Sequence, residues 1–484
     1  CLSFSLIEAA YAGVKVPAAA VPETSGLLPN PTDLLPNVTN IFKQFADLMG
    51  NGLCGIDLEH LVTNDPDEKR STCEIIEAKG FPCERHNVTT YGGYIIELHR
   101  IPAQGPQASN KTKRPVIVQA GLCEIIEAKG FPCERHNVTT YGGYIIELHR
   151  IPAQGPQASN KTKRPVIVQA GLVGTSADFI IGSATFDATN TSEMSGNLGL
   201  ELAKRGYDVW LSNNRGGKYG MAHQTLSAKD TKFWKWTFEQ MSEQDTTAIV
   251  DFVLAKTGAE RLHYVGQSQG TALMWALLAT NETINAKLAS YVAISPITRL
   301  GNANTTGRAF INIFEPLLEH DGPIFTPNKV LDGAVSLACD AFGSRIACKL
   351  VLFSLTGPNC DELDESRLGV IMGHMPTSTS RRNLLHYKQL MDTDRFKRYD
   401  TNPLLPTAKD YPLDKISLQP ILVIYGPNDW VVPLAGVEKL KKDLPGRTFY
   451  ALSNPQANHI DPLVGKRSAP ETNWQVARYI EQKD

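Results

Sequence analysis

The sequence predicts an α/β fold, a mostly parallel central sheet flanked by helices, with a helical cap inserted before the last strands. Three observations predict it. From residue 173 onward, short apolar runs alternate with helical stretches. A glycine-flanked serine stands where one of those runs passes into a helix. Between residues 301 and 402 the alternation breaks into mixed helix and loop. An insertion of that size between two strands reads as a cap or lid over the carboxyl ends of the sheet, where function accumulates.

The elements follow in order. Residues 198–205 read as a helix stopped by Gly206, and 207–211 as a short apolar strand. Residues 245–256 form an amphipathic helix, with Ile249, Phe252 and Val253 on one face and Gly258 closing it. Strand 262–265, helix 271–280 and strand 291–295 complete the first part of the core. After the insertion come strand 421–425, helix 435–444 and strand 448–452. The core is therefore expected over 123–300 and 403–484, with the cap over 301–402.

Residues 73–122 and 123–172 are identical at all 50 positions. Solenoids need several diverged copies with atypical caps, so two identical units read as a recent duplication or an assembly error, not as an architecture. Each copy reads as strand, strand, loop, strand. Tyr91-Gly92-Gly93-Tyr94 makes a hairpin-like turn before the β-rich run 94–101, and 116–119 is a short apolar strand. The second copy runs on into Val173 and the rest of the chain, whereas the first stops at Cys123. The second is expected in the sheet, and 73–122 is expected to be surplus.

The chain has 484 residues, 42% apolar and 20% charged, with a net charge of −2. That suits one large catalytic domain with an insertion and gives no sign of nucleic acid as a partner. No stretch approaches the ~20 apolar residues of a spanning helix. Residues 1–12 are apolar and small, and Ala10-Tyr11-Ala12 resembles a cleavage site, the tail of a signal peptide. Residues 13–72 form an N-terminal segment. Sequons begin at Asn37, Asn87, Asn110, Asn137, Asn160, Asn190, Asn281 and Asn304, which favours an exported glycoprotein. The nine cysteines show no CxxC or Cys/His spacing, so no metal site is expected. Cys339 with Cys348, Cys73 with Cys83, and the copied Cys123 with Cys133 are near enough in sequence for local disulfides.

The strongest chemical signal is Gly266-Gln267-Ser268-Gln269-Gly270, between a strand and a helix. This is the context of a nucleophile elbow: a sharp turn with small residues Gly266 and Gly270 around Ser268, and a helix N-terminus facing the oxyanion of acyl transfer. The serine needs a base, and the base an orienting acid. His374 and His386 fall in the cap. His459 follows the last strand and is the expected base. Asp429, after strand 421–425, is the expected acid; a helix N-cap is its structural alternative, and Asp461 is the fallback. The oxyanion donors are expected to be the backbone N–H groups of Gln269 and Leu172, with Gln119 to Leu122 as the decoy copy.

These residues resemble the acid lipases, the gastric and lysosomal lipase family of α/β-hydrolase fold. The likeness covers nearly all of 73–484, counting the repeat once. It rests on Gly80-Phe81-Pro82, Tyr94 to Pro102, Gly206 to Leu211 with Asn214-Arg215-Gly216, and Phe233-Trp234. Phe238 to Met241, His263 to Gly266, Ser268 to Thr271, and Asn458-His459-Ile460-Asp461 follow in order. The resemblance implies a secreted or lysosomal lipase acting on triacylglycerol or cholesteryl esters at a lipid–water interface, with no cofactor. It also implies a cap disulfide at the spacing of Cys339 and Cys348. Two positions depart from the family pattern: Gln267 stands where the family has His, and Ala170 precedes Gly171-Leu172 where the family has His. Two other readings remain: a carboxylesterase or exopeptidase of the same fold, and a non-catalytic lipid-binding protein, which would have no need of all three triad residues.

Overall fold

The computed structural model describes residues 77, 80, 82–89, 95–100, 102 and 121–484, apart from 154–162, 183–193, 304–307, 309–310, 313–314, 316–317, 319, 326–341, 403–406, 419, 445 and 447. The chain divides into two compact units, Cys1–Leu53 and Cys54–Asp484. The first, with the signal-like stretch, lies outside the described residues.

Strands β1 (Glu84–Thr89) and β2 (Ile95–Arg100) of the first copy pair antiparallel in a two-stranded sheet of their own. Helix α1 (Leu122–Ala128) starts at the last residue of the first copy and opens the second, which continues as β3 (Glu134–Thr139) and β4 (Tyr144–Ile151). It ends in β5 (Val166–Gln169). Helix α2 (Leu198–Lys204), β6 (Val209–Ser212) and the short β7 (Ala222–His223) come next. A π-helical stretch, Met241–Thr246, leads into α3 (Thr247–Thr257). Then follow β8 (Leu262–Gln267), α4 (Gln269–Thr280), α5 (Glu282–Lys287) and β9 (Leu288–Ile294). The insertion contains β10 (Pro323–Ile324), α6 (Phe342–Thr356), α7 (Leu368–His374), β11 (Thr379–Ser380) and α8 (Arg381–Thr393). The chain returns to the core with β12 (Ile421–Tyr425), α9 (Leu434–Asp443) and β13 (Thr448–Leu452), and closes with α10 (Asp461–Val464) and α11 (Trp474–Glu481).

The main sheet runs β13-β12-β9-β8-β5-β6-β4-β3, with β7 beside β4. It is parallel from β13 to β6, and β4 lies antiparallel to β3, β6 and β7. Central strands β5, β6 and β8 are buried at every residue, which is why their sequences are mostly apolar and do not alternate. Residues such as Ile167, Trp210 and Val265 have no exposed surface, and each contributes about 1.5–3 kcal/mol by its burial. The outer strand β3 alternates instead, exposing every second residue over most of its length.

The sequence expectation differs from the structure in detail. Helix α1 was not foreseen: it buries Leu122, Cys123 and Ile126, a short stripe at helical spacing within what reads as a strand-forming unit. The strand expected at 207–211 begins at Val209, because Gly206 at φ 86 is still turning the chain out of α2. Strands β12 and β13 fall where the alternation puts them.

Candidate active site

The centre of the site is the junction of β8 and α4. Ser268 adopts φ 52, ψ −119, a conformation side chains rarely take. It is tolerated because the neighbours are small. A Cβ on Gly266 would stand 2.6 Å from the carbonyl oxygen of Gly270, and one on Gly270 would stand 2.5 Å from that of Gln169. The Ser268 N–H donates to Ile294 O at 2.9 Å, fixing the turn to the adjacent strand β9.

Two loops at the same end of the sheet meet this serine. The loop after β13 brings His459, whose Nε2 lies 2.7 Å from Ser268 Oγ. The loop after β12 brings Asp429, whose Oδ2 lies 2.8 Å from His459 Nδ1. A carboxylate only accepts, so Nδ1 carries the ring proton of the neutral imidazole and Nε2 is left to accept from the serine hydroxyl. The other oxygen of Asp429 accepts from the N–H groups of Val431 at 2.9 Å and Val432 at 2.7 Å. The aspartate thus performs the local backbone role expected of a cap and faces the histidine as well. His459 is held through its own backbone. Its N–H donates to Thr356 O at 3.0 Å, and its carbonyl accepts from Ser295 Oγ at 3.1 Å and Gln267 Nε2 at 3.4 Å. Ser268 and His459 are each 6% exposed and Asp429 is 3% exposed.

The other side of the serine is bounded by the loop after β5. A Cβ on Gly171 would come within 3.0 Å of Ser268 Cβ, so this loop lies directly against the nucleophile position. Asn214 Nδ2 donates to Gly171 O at 2.7 Å, and Gln169 Nε2 donates to Asn214 Oδ1 at 3.0 Å. Gln269 begins α4, where an N–H has no intrahelical acceptor. Its side-chain Oε1 accepts from Asn383 Nδ2 at 2.8 Å and from Tyr387 OH at 3.0 Å, both on α8.

The remaining titratable candidates are occupied elsewhere. Asp461 accepts from Asn458 N at 2.8 Å and Asn359 Nδ2 at 2.7 Å. Burial pushes its pKa up to about 7, against those hydrogen bonds, and the charges of Glu362 and Asp429 add to the rise. His386 stacks on Phe238 at 4.1 Å and bonds the carbonyl of Lys397, and burial pushes it down to about 3. His374 Nδ1 bonds Val370 O within its own helix.

Comparison with known proteins gives the lineage. A family model described as a partial alpha/beta-hydrolase lipase region matches twice, at residues 72–124 and 122–183, once for each copy of the repeat. A second, described as the alpha/beta hydrolase fold, matches residues 165–318. Gastric triacylglycerol lipase of Bos taurus is 30% identical over 439 residues, covering 88% of this chain and 94% of the relative. Lipase member M of Homo sapiens is 30% identical, covering 87% and 88%, and human lipase member N 30%, covering 85% and 90%. The chain belongs to the acid lipase family.

Within this acid lipase framework the structure brings Ser268, His459 and Asp429 together, with Gly171, the residue before Leu172, against the serine and Gln269 next to it at the start of α4. It does not bring His374, His386 or Asp461 to the serine's hydroxyl. Cys123 and Cys133 form a disulfide with S–S 2.04 Å. Cys83, Cys348 and Cys360 are each disulfide-bonded, the last not singled out by sequence reasoning; Cys73 and Cys339, expected as partners of Cys83 and Cys348, lie outside the described residues. Of the sequon asparagines, Asn137 is exposed on β3, and Asn281 is half-buried and caps α5 by accepting from Thr283 N at 3.0 Å. The side chains of Asn37, Asn87, Asn110, Asn160, Asn190 and Asn304 lie outside the described residues. Among the described residues, no group of His, Cys, Asp or Glu could hold a metal, and no helix is long and apolar enough to cross a membrane. Sequence reasoning also missed Gln169, Asn383 and Tyr387. Asn383 and Tyr387 stand four apart on one helix, a spacing that puts them on one face, and this was the signal available.

Proposed function

We propose that this acid lipase family member hydrolyses carboxylic esters of lipids, triacylglycerol or cholesteryl ester, by a Ser-His-Asp acyl-enzyme mechanism. The observation that carries the reading is the unbroken chain of hydrogen bonds from Asp429 through His459 to Ser268, at 2.8 and 2.7 Å. In the first half-reaction Ser268 Oγ attacks the ester carbonyl as His459 Nε2 takes its proton. The oxyanion is met by the N–H groups of Leu172 and Gln269. The tetrahedral intermediate collapses, His459 gives the proton to the leaving alcohol, and the acyl group stays on Ser268. Water, deprotonated by His459, then attacks the acyl-enzyme; the fatty acid leaves and Ser268 recovers its proton. Asp429 holds the ring in the required tautomer and stabilises the imidazolium.

Residues 301–402 act as the cap in this reading. Ser268 and His459 are almost fully covered, so a long acyl chain reaches them only after part of the cap moves. The compartment that suits such an enzyme is extracellular or lysosomal, and the surplus copy 73–122 takes no part in catalysis.

The test is hydrolysis of long-chain triacylglycerol and cholesteryl ester between pH 4 and 8 by the purified chain and by Ser268→Ala. Loss of a triad serine is expected to lower kcat by about 10⁶-fold, and a fluorophosphonate should label the wild type at Ser268 alone. Labelling at another serine, with Ser268→Ala still active, overturns the assignment. Activity confined to short, soluble esters makes the protein a carboxylesterase.

A further inference from the structure

A second serine–histidine–carboxylate chain lies behind the site. His149 Nδ1 is 3.0 Å from Ser176 Oγ, and His149 Nε2 is 3.0 Å from Glu147 Oε1. Ser176 and His149 are 0% and 1% exposed. No ester can reach a serine so deeply buried, so this is not a second nucleophile. Its place in the fold gives it another use. Ser176 ends the loop that leaves β5 and runs past Gly171 and Leu172, the loop that borders Ser268.

The bonding directions follow from chemistry. Glu147 is held below the usual carboxylate range by the hydrogen bond from His149, and Arg135 adds to this. The carboxylate only accepts, so Nε2 carries the proton of the neutral ring, and Nδ1 accepts from the Ser176 hydroxyl. The Ser176 N–H meanwhile donates to Asn213 Oδ1 at 2.9 Å, and Asn213 Nδ2 donates to Glu147 O at 2.8 Å. Tyr219 makes a T-shaped contact with the imidazole, ring centroids 4.7 Å apart. The loop is therefore pinned at Gly171 by Asn214, at Val173 by the Thr377 N–H at 2.7 Å, and at Ser176 by His149 and Asn213. Leu172 lies between these pins.

We propose that His149, with its tautomer set by Glu147, is a positioning residue for the oxyanion hole, acting through Ser176 on the N–H of Leu172. This rests on the reading of Leu172 as an oxyanion donor. It also gives a physical reason for the second copy to be the working one. Both copies carry the Glu and the His, as Glu97 and His99 or as Glu147 and His149. Four residues beyond Leu172 stands Ser176, but four beyond Leu122 stands Ile126, inside α1. The first copy has no hydroxyl of its own for the latch.

The test compares wild type, His149→Ala, His149→Asn, Ser176→Ala and His99→Ala on a soluble p-nitrophenyl ester. A displaced donor costs less than a deleted one, so His149→Ala and Ser176→Ala should lower kcat about 10- to 100-fold with KM within about two-fold. His149→Asn, whose amide can reach the position of Nδ1, should recover part of the loss. His99→Ala should match wild type. If His149→Ala does not fold, Ser176→Ala decides, since it removes one oxygen. Unchanged kcat in the folded variants, a loss confined to KM, or an equal loss in His99→Ala overturns the proposal. Failure of the proposed esterase function, of which the Leu172 reading is a part, looks different: wild type then neither hydrolyses the ester nor reacts with a fluorophosphonate, and this proposal falls with it.

Discussion

Asp429 combines two duties that are usually divided, and its two oxygens separate them. Oδ1 braces its own loop through Val431 and Val432, while Oδ2 faces His459. Asp429→Asn can keep the first duty through its carbonyl oxygen, but it loses the carboxylate that fixes the imidazole tautomer. Its kcat should fall by about 10⁴-fold while the melting temperature moves little; a variant as active as wild type would remove Asp429 from the mechanism. Asp461, two residues beyond the base, has the opposite character. Its folded pKa, near 7, is above the ordinary aspartate value of about 3.9. Between those values the folded state holds a proton that the unfolded state has released, so stability declines as pH rises from about 4 to 7. Asp178, buried just beyond the loop that leaves β5, is pushed up to about 7 by burial in the same way. Asp461→Asn should flatten that decline, by at most about 4 kcal/mol. Melting temperatures of both proteins at pH 4.5 and 7.5 measure it, and an equal decline in both would clear Asp461 of the effect.

At the scale of elements, the insertion proposed as the cap also braces the site. Its α6 ends at Thr356, whose carbonyl receives the N–H of His459 at 3.0 Å and that of Trp430 at 3.3 Å. Asn458 Nδ2 bonds Gly357 O at 2.8 Å, and α8 holds the Gln269 side chain. The carboxyl end of α6 is therefore fastened to the loops that carry His459 and Asp429, and α8 to the start of α4. Hydrolysis rate should rise as a medium-chain ester passes from monomers to droplets; a rate that follows monomer concentration alone would count against a cap that opens at lipid. These fastenings explain what could be read from the sequence. The sheet was legible because β5, β6, β8 and β12 are short apolar runs bounded by turn residues, and the elbow because glycines on both sides of Ser268 are sterically required. His459 and Asp429 were legible from their order after the last strands. Asn214, Asn383, Tyr387 and the Ser176–His149 latch were not, because each is defined by a partner 27 to 118 residues away. No periodicity or local motif encodes such a pairing.

At the scale of the whole molecule, one sheet has one place for each strand of the duplicated unit. The second copy fills it: β4 lies against β6, and β5 lies between β6 and β8. Among the described residues the first copy's β1 and β2 pair only with each other, which leaves sheet edges of the kind that promote association. Deleting 73–122 joins Thr72 to Cys123 and leaves the local sequence at that junction unchanged. The shortened protein should keep its kcat and give a higher soluble yield. Loss of activity or of thermal stability would make the first copy part of the architecture.

The two hairpins share more than a sequence. Glu84 faces Arg100 as Glu134 faces Arg150, and each ladder runs in the same register to its last pair. A chain searching for its fold therefore offers β6 two partners with no local difference between them, and only the connection that follows β5 distinguishes success from error. A molecule that docks the first hairpin must break long-range pairing before it can correct itself, a slow step for strands far apart in sequence. Refolding from denaturant, followed by recovery of esterase activity, should thus show a fast and a slow phase at the full length. The slow phase should vanish when one copy is removed. The duplication is then a kinetic burden as well, felt each time the protein is made.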